Sequence, residues 1–181
     1  MAANRTTRSA LLALTLVLAA PAFAQDAPTT RALEGLDARA AVELANAWKG
    51  SGVTSFATPD AVHFVFADGT AVVVPLPDDV MYVSVAPYLQ HTHPCATHYM
   101  SGCQGELVGA PVHVLAILAD GTVLIDEVMP TMANGFIDLW LPRDQAIDLH
   151  LSLDGYAVVG RLTTYADSRT CITDLRLTAG R

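Results

Sequence analysis

Two of the chain's three cysteines lie close to two histidines in the middle of the sequence. In the segment 92–104 these residues are His93, Cys95, His98 and Cys103. Thiolate sulfur and imidazole nitrogen are ligands of soft and borderline metal ions, so this composition predicts a metal site. The third cysteine, Cys171, lies near the C-terminus. A site that uses all three sulfurs must therefore be assembled by the fold.

The spacing of the cysteines leaves several kinds of site open. Seven residues separate Cys95 from Cys103, which is longer than the gap in a zinc ribbon, and no Cys-x-x-Cys pair of the thioredoxin type occurs. An odd number of cysteines leaves at least one thiol unpaired in an oxidising compartment. A disulfide of Cys103 with either Cys95 or Cys171 is compatible with the sequence. Three thiolates, or two and an imidazole, would suit Cu(I), whereas four cysteine and histidine ligands would suit Zn(II).

The histidines differ in how well they are placed to join such a site. His93 and His98 lie two residues before and three residues after Cys95, so either imidazole can reach a metal bound to that sulfur. His91 is expected to be a solvent-exposed neighbour of the site. Four further residues are expected to have structural roles in strands or in the core: His63, Met100, His113 and His150.

The acidic residues of the C-terminal half do not predict a catalytic pair. Asp120 and Asp154 belong to Asp-Gly turns, and the others, including Glu106 and Asp138, are expected to face water from alternating strand positions. The sequence contains no Gly-x-Ser-x-Gly motif, P-loop or dinucleotide fingerprint. The chemistry of the chain is therefore expected at the cysteines.

The first 24 residues have the pattern of a secretory signal peptide. Arg5 and Arg8 precede an apolar run over 10–20, and small residues at 22 and 24 predict cleavage between Ala24 and Gln25. The run is about half the roughly 20 residues of a spanning helix, so we expect an exported protein without a membrane span. Loss of two arginines leaves eight basic against eighteen acidic residues, a net charge of −10. Such a surface repels nucleic acid and anionic lipid.

Helical and strand patterns divide the remaining sequence into two parts. Asp37 is a predicted N-cap, and Val42, Ala45 and Trp48 form an apolar helical stripe that ends at Lys49-Gly50. Alternating β-branched and aromatic residues predict the following strands: 62–66, 70–74, 81–86, 112–118, 122–128, 136–141, 147–153, 156–164 and 170–177. Asp-Gly turns at 68–69 and 120–121 join two hairpins. We expect a mainly β fold, α+β overall, with a small helix-plus-hairpin domain at 25–88 and an antiparallel β-sandwich at 89–181.

The chain resembles the CueP family of periplasmic copper-resistance proteins. The resemblance rests on the cysteine-histidine segment 91–107 and on two later segments, 135–143 and 170–173. It covers essentially all of the C-terminal part, whereas 31–86 agrees in layout more than in motif. The family's cysteines correspond to Cys95, Cys103 and Cys171, and its histidine ligands to His93 and His98.

The resemblance implies a periplasmic copper protein that stores or delivers the metal. It implies a small N-terminal domain that helps a homodimer to form, and a larger β-sandwich that holds Cu(I) at three thiolates with histidine assistance. It also implies that thiols reduce Cu(II) to Cu(I), and that copper passes to a periplasmic enzyme such as a superoxide dismutase. Such reduction is stoichiometric unless a disulfide reductase restores the thiols, so the sequence does not identify an enzyme.

Two other functions fit the residues. One is a thiol-disulfide redox or zinc-binding protein for which copper is incidental. The other is a β-sandwich binding module that is held by a disulfide and presents its acidic face to a partner. Selectivity between Cu(I) and Zn(II) would separate the copper function from the zinc function.

Overall fold

A computed structural model describes residues 27–180, which lie beyond the predicted signal peptide at 1–24. Within this range a 3-10 helix at Thr30–Leu33 and one α-helix, α1 at Ala38–Ala47, precede a series of strands. The strands are β1 Thr54–Ala57, β2 Ala61–Val65, β3 Ala71–Pro75, β4 Val80–Val85, β5 Pro111–Leu118, β6 Val123–Pro130, β7 Ile137–Pro142, β8 Ala146–Leu153, β9 Tyr156–Thr163, β10 Cys171–Ile172 and β11 Thr178–Ala179. Neither helix is long and apolar enough to cross a membrane.

The N-terminal part packs α1 against an antiparallel sheet in the order β1-β2-β3. The side chain of Asp37 accepts a hydrogen bond from the backbone N–H of Ala40, which confirms the predicted N-cap. The helix ends at Ala47, two residues before the predicted Lys49-Gly50. Its apolar stripe is buried against Phe64 and neighbouring sheet residues, so the stripe is core in this chain.

The C-terminal part is a β-sandwich, as predicted. One sheet has the order β11-β9-β8-β5-β6 and the other has the order β10-β4-β7. Both are antiparallel except for the parallel pair of β10 with β4. The core between them includes Met81, Val83, Val114, Leu139, Leu149 and Leu151. Burial of such aliphatic side chains, each worth about 1.5–3 kcal/mol, holds the two sheets together.

Strand β4 is buried on both faces and therefore links the sandwich to the N-terminal part. Met81 and Val83 face the sandwich core, so the alternation of side chains directs Tyr82 and Ser84 to the opposite face. Cys171 of β10 pairs with Ser84, and Asp138 of β7 also pairs with Ser84. All of these side chains thus lie on the face of the small sheet that is turned away from the sandwich core.

The same face is covered by α1. The guanidinium carbon of Arg39 lies 4.5 Å from the ring centroid of Trp140 on β7. Although β4 falls in the segment predicted as the N-terminal domain, it hydrogen-bonds to β7 and β10 of the later segment. The division into 25–88 and 89–181 stays a prediction.

The predicted strand at 170–177 is wrong in its central part. Only Cys171–Ile172 pairs with β4, and Thr178–Ala179 pairs with β9. Between them the backbone crosses from one sheet to the other, where Leu175 and Leu177 exchange hydrogen bonds with Tyr88. The short strand β1, which the sequence analysis did not predict, completes the N-terminal sheet by pairing with β2.

Candidate metal centre

The fold brings the three cysteines together. Cys171 is fully buried and Cys103 is 8% exposed, whereas Cys95 is half-buried. The Sγ atoms of Cys95 and Cys103 are 3.6 Å apart, well beyond the roughly 2.05 Å of a disulfide, and all three thiols are free. Phe136 and Ala86 pack around the sulfurs and shield them from water.

Two histidines complete two overlapping groups of ligand atoms. We call His93, Cys95 and Cys103 the outer triad, and His98, Cys103 and Cys171 the inner triad. Within each triad the ligand atoms all lie within 4.8 Å of one another. Every member of the inner triad is buried, while His93 and Cys95 are partly exposed. Cys103 belongs to both triads, so the five sequence-predicted ligands form one cluster with a shared sulfur.

The ligand separations suit a bound metal ion. Metal–nitrogen and metal–sulfur bonds of about 2.0 and 2.3 Å at a trigonal angle place the two ligand atoms about 3.7 Å apart. His98 Nδ1 and Cys171 Sγ are 3.8 Å apart. In the described residues His98 Nε2 is buried without a hydrogen-bond partner. When a metal ion binds, Nδ1 must present its lone pair to the ion, so the imidazole proton then lies on Nε2.

Thr170 fixes the inner triad by joining three parts of the chain. Its hydroxyl accepts a hydrogen bond from the backbone N–H of His98 at 3.0 Å and donates one to the carbonyl of Ala57 at 2.7 Å. The backbone N–H groups of Thr170 and Cys171 both donate to the carbonyl of Ala96. The cysteine loop is therefore attached to the strand that bears Cys171. The role of Thr170 was not predictable from the sequence, because its hydrogen-bond partners His98 and Ala57 are distant in the chain.

A tight turn positions the shared sulfur. The N–H of Cys103 donates to the carbonyl of Tyr99 at 2.7 Å, and the N–H of Tyr99 lies 3.4 Å from Cys103 Sγ. Two residues later Gly105 crosses Gly135 so closely that a Cβ on Gly105 would lie 2.6 Å from the Gly135 carbonyl oxygen. A Cβ on Gly135 would likewise lie 2.7 Å from the carbonyl carbon of Gly105. Glycine is required at both positions because the side chain would meet backbone atoms.

Aromatic side chains hold the imidazole of His98. Its ring centroid lies 4.6 Å from that of Phe136 and 6.1 Å from that of Tyr82. These rings are fully buried, so the imidazole has little freedom to rotate. The inner histidine is accordingly pre-oriented, which lowers the entropic cost of metal binding.

The three thiols perturb one another's protonation. A hydrogen bond from the Cys171 thiol, supported by His98, lowers the pKa of Cys103. The same contact with Cys103, together with burial, raises the pKa of Cys171. Burial also raises the pKa of Cys95. The cluster therefore favours a thiolate at Cys103, the sulfur that both triads share, and thiols on either side.

The turn that follows helix α1 reaches this centre through Lys49, a residue that was not predicted to belong to the site. Lys49 Nζ donates to the carbonyl of Cys103 and to the side-chain oxygen of Gln104, both at 2.8 Å. These bonds tie the shared cysteine to the N-terminal part of the chain.

Replacing Lys49 by methionine is expected to weaken Cu(I) binding about 10-fold while leaving thermal stability nearly unchanged. Lys49 is an exposed residue that holds the backbone of a candidate ligand, and loss of such support typically weakens metal affinity by about 10-fold or more. A chelator competition titration measures the effect, with Lys49→Arg as the control that retains a donor. An affinity equal to that of the wild type would show that Lys49 does not position Cys103.

Two acidic residues that were expected to face water instead hold backbone or buried groups. Glu106 accepts hydrogen bonds from the N–H groups of Leu89 and Gln90 at the start of the cysteine loop. Asp138 Oδ1 accepts one from Tyr82 at 2.7 Å and one from Ser84 at 2.6 Å. The prediction that these two carboxylates face water was wrong. Their hydrogen-bond partners lie in other parts of the chain, which the local sequence pattern does not show.

The other predicted residues lie outside the cluster. His91 is exposed, as expected. His63 stacks on Phe56, and His113 pairs with Asp126 on the sheet surface. His150 lies in β8, and Met100 is fully buried in the N-terminal core. These contacts agree with structural roles.

The chain is similar to known proteins in both sequence and fold. The model of the family described as periplasmic copper-binding protein CueP matches residues 41–176. The crystal structure of S.CueP superposes on the chain with a TM-score of 0.75 at 32% sequence identity, covering 82% of this chain and 92% of that one. None of the curated proteins matches significantly.

Proposed function

The chain belongs to the CueP family of periplasmic copper-binding proteins, and from that premise we propose that it holds Cu(I) at Cys95, Cys103 and Cys171 with the help of His93 and His98. The single observation that carries the proposal is the convergence of three free sulfurs and two imidazoles into two ligand groups around Cys103. Soft thiolates at low coordination number favour Cu(I) over harder ions.

The proximity of two thiols also supports reduction of Cu(II) by the protein. The Cys95 thiol and the Cys103 thiolate, whose sulfurs are 3.6 Å apart, would form one S–S bond and release one proton and two electrons. Two Cu(II) ions would each accept one electron and become Cu(I). The disulfide removes Cys103 from metal binding, so a disulfide reductase would be needed to restore the site.

The family relationship supports a role in copper tolerance, storage and delivery. We propose that the segment 1–24 is a signal peptide that directs export to the periplasm, and that the N-terminal part supports a homodimer. Bound Cu(I) would then be delivered to a periplasmic copper enzyme such as a superoxide dismutase. Co-purification of the apo enzyme with the copper-loaded chain, and copper transfer to it, would test the delivery step.

Titration of the reduced chain with Cu(I) against bicinchoninate tests the proposed function. We expect tight one-to-one binding that survives excess Zn(II), because the donor set is rich in thiolate. A variant with all three cysteines changed to serine is the control and should not compete with the chelator. A preference for Zn(II) would overturn the proposal in favour of a zinc protein.

Treatment of the reduced chain with Cu(II) tests the proposed reduction. We expect two thiols to be lost for every two Cu(I) ions formed, and an unchanged number of thiols would contradict reduction.

A further inference from the structure

We propose that the chain contains two overlapping three-ligand copper sites with Cys103 as the common ligand. The outer triad captures Cu(I) from solvent and the inner triad retains it. The ion passes between them by ligand exchange around Cys103. This inference rests on the proposed function. In a single trithiolate site all three sulfurs would bind the ion together, whereas here Cys95 serves in uptake and Cys171 in retention.

Burial differs sharply between the two triads. Cys171 and His98 are 0% exposed, so solvent does not reach the inner ligands directly. The two ligands that only the outer triad contains, His93 and Cys95, line an open pocket of about 600 Å³ together with Tyr88, Thr92 and Arg169. An ion that enters through this pocket meets the outer triad first.

The shared sulfur provides a short path inward. Cys103 Sγ lies within 4.8 Å of the ligand atoms of both triads. Copper can therefore keep its bond to Cys103 while Cys95 and His93 leave and Cys171 and His98 enter. A bound intermediate of this kind avoids release of a bare ion into a buried, low-dielectric region, which would be costly.

Protons and electrons balance in the exchange. In the outer site Cys95 and Cys103 are thiolates and Cys171 is a thiol. In the inner site Cys103 and Cys171 are thiolates and Cys95 is a thiol. One proton moves from Cys171 to Cys95, directly or through solvent, and the ion remains Cu(I) throughout.

The inner ligands are also held more firmly than the outer ones. His98 is fixed by Thr170 through its backbone and by Phe136 through its ring, and the backbone of Cys171 is bonded to Ala96. Cys95 contacts the carbonyl of Thr97, two residues away in its own loop. Pre-oriented, fully desolvated ligands bind more tightly than exposed ones, so the inner triad is the resident site.

The matched variants Cys95→Ser and Cys171→Ser test the inference, since each removes one thiolate from one triad. Equilibrium affinity is measured by competition with bicinchoninate, and rates of uptake and release by stopped flow. We expect Cys171→Ser to lose about 100-fold in affinity and to release copper quickly. Cys95→Ser should lose affinity by about 10-fold or less, clearly less than Cys171→Ser, and should exchange copper at least about 10-fold more slowly than the wild type.

X-ray absorption at the copper edge supplies an independent measurement on the loaded wild type. One nitrogen and two sulfur ligands per copper are expected, and the same set in Cys95→Ser. Three sulfur ligands, or an equal loss of affinity in both serine variants, would overturn the two-site inference and leave the proposed function standing as a single trithiolate site. Absence of tight Cu(I) binding by the wild type would instead overturn the proposed function itself.

Discussion

Replacing Cys103 by serine is expected to reduce Cu(I) affinity on the order of 1,000-fold, about 4 kcal/mol, more than any other single substitution of a ligand. Cys103 is the sulfur that the outer and inner triads share, so its loss leaves each triad with one thiolate and one imidazole. Serine hydroxyl is a hard, neutral oxygen and does not replace a thiolate as a ligand of Cu(I). Competition with bicinchoninate on the reduced chain measures the loss.

Two controls separate this effect from damage to the fold. Cys103 is buried against Phe136 and Cys171, so Cys103→Ala should be compared with Cys103→Ser by thermal unfolding. Met100→Leu removes a fully buried sulfur in the same segment that belongs to the N-terminal core and to neither triad. It should bind copper as the wild type does. Retention of wild-type affinity within about tenfold in a folded Cys103→Ser chain would contradict the role of Cys103 as the common ligand.

The elements of this fold that are specified by neighbouring residues were predictable from the sequence. The hairpins at Asp68-Gly69 and Asp120-Gly121 form as predicted, since each Asp side chain bonds the backbone N–H two residues later and each glycine has a positive φ. The N-cap at Asp37 is equally local. Such signals act within a few residues and do not depend on the rest of the chain.

The candidate ligands were predictable as a set but not in their arrangement. Thiol and imidazole chemistry identified Cys95, Cys103 and Cys171 with two histidines. Which sulfur would be shared, and which histidine buried, depends on the pairing of Cys171 with Ser84 and on the bonds of Thr170. Those contacts join residues that are far apart in the sequence, so a local sequence pattern does not predict them. The bounds of the short strand β10 were not predictable for the same reason. Its two residues form a strand because they pair with β4.

The support beneath the inner triad depends on a buried polar network that the sequence did not reveal. Asp138 accepts hydrogen bonds from the hydroxyls of Tyr82 and Ser84, and its second oxygen lies 3.3 Å from the amide nitrogen of Asn46 on α1. Tyr82 and Ser84 are both 0% exposed. Burial, followed by the nearby Asp138 carboxylate, raises the pKa of Tyr82 well above its ordinary value, so the phenol stays a donor.

Replacing Asp138 by alanine is therefore expected to lower the free energy of unfolding by about 3–5 kcal/mol. Each buried hydroxyl left without an acceptor costs about 1–3 kcal/mol, and the hydroxyls of two residues, Tyr82 and Ser84, lose their acceptor. Urea denaturation followed by fluorescence or circular dichroism measures the change. The matched control Asp138→Asn keeps an acceptor oxygen at the same position and should lose about half as much or less.

A double-mutant cycle with Tyr82→Phe shows whether the unpaired donors are the cause. In the Tyr82→Phe background one donor is already absent, so Asp138→Ala should cost less there than in the wild type by about 1–2 kcal/mol. Because Ser84 pairs with Cys171 and the ring of Tyr82 lies beside His98, Asp138→Ala should also weaken Cu(I) binding when assayed where the variant is folded. A stability loss below about 1 kcal/mol, or strictly additive effects in the cycle, would show that Asp138 does not hold this face of the small sheet together.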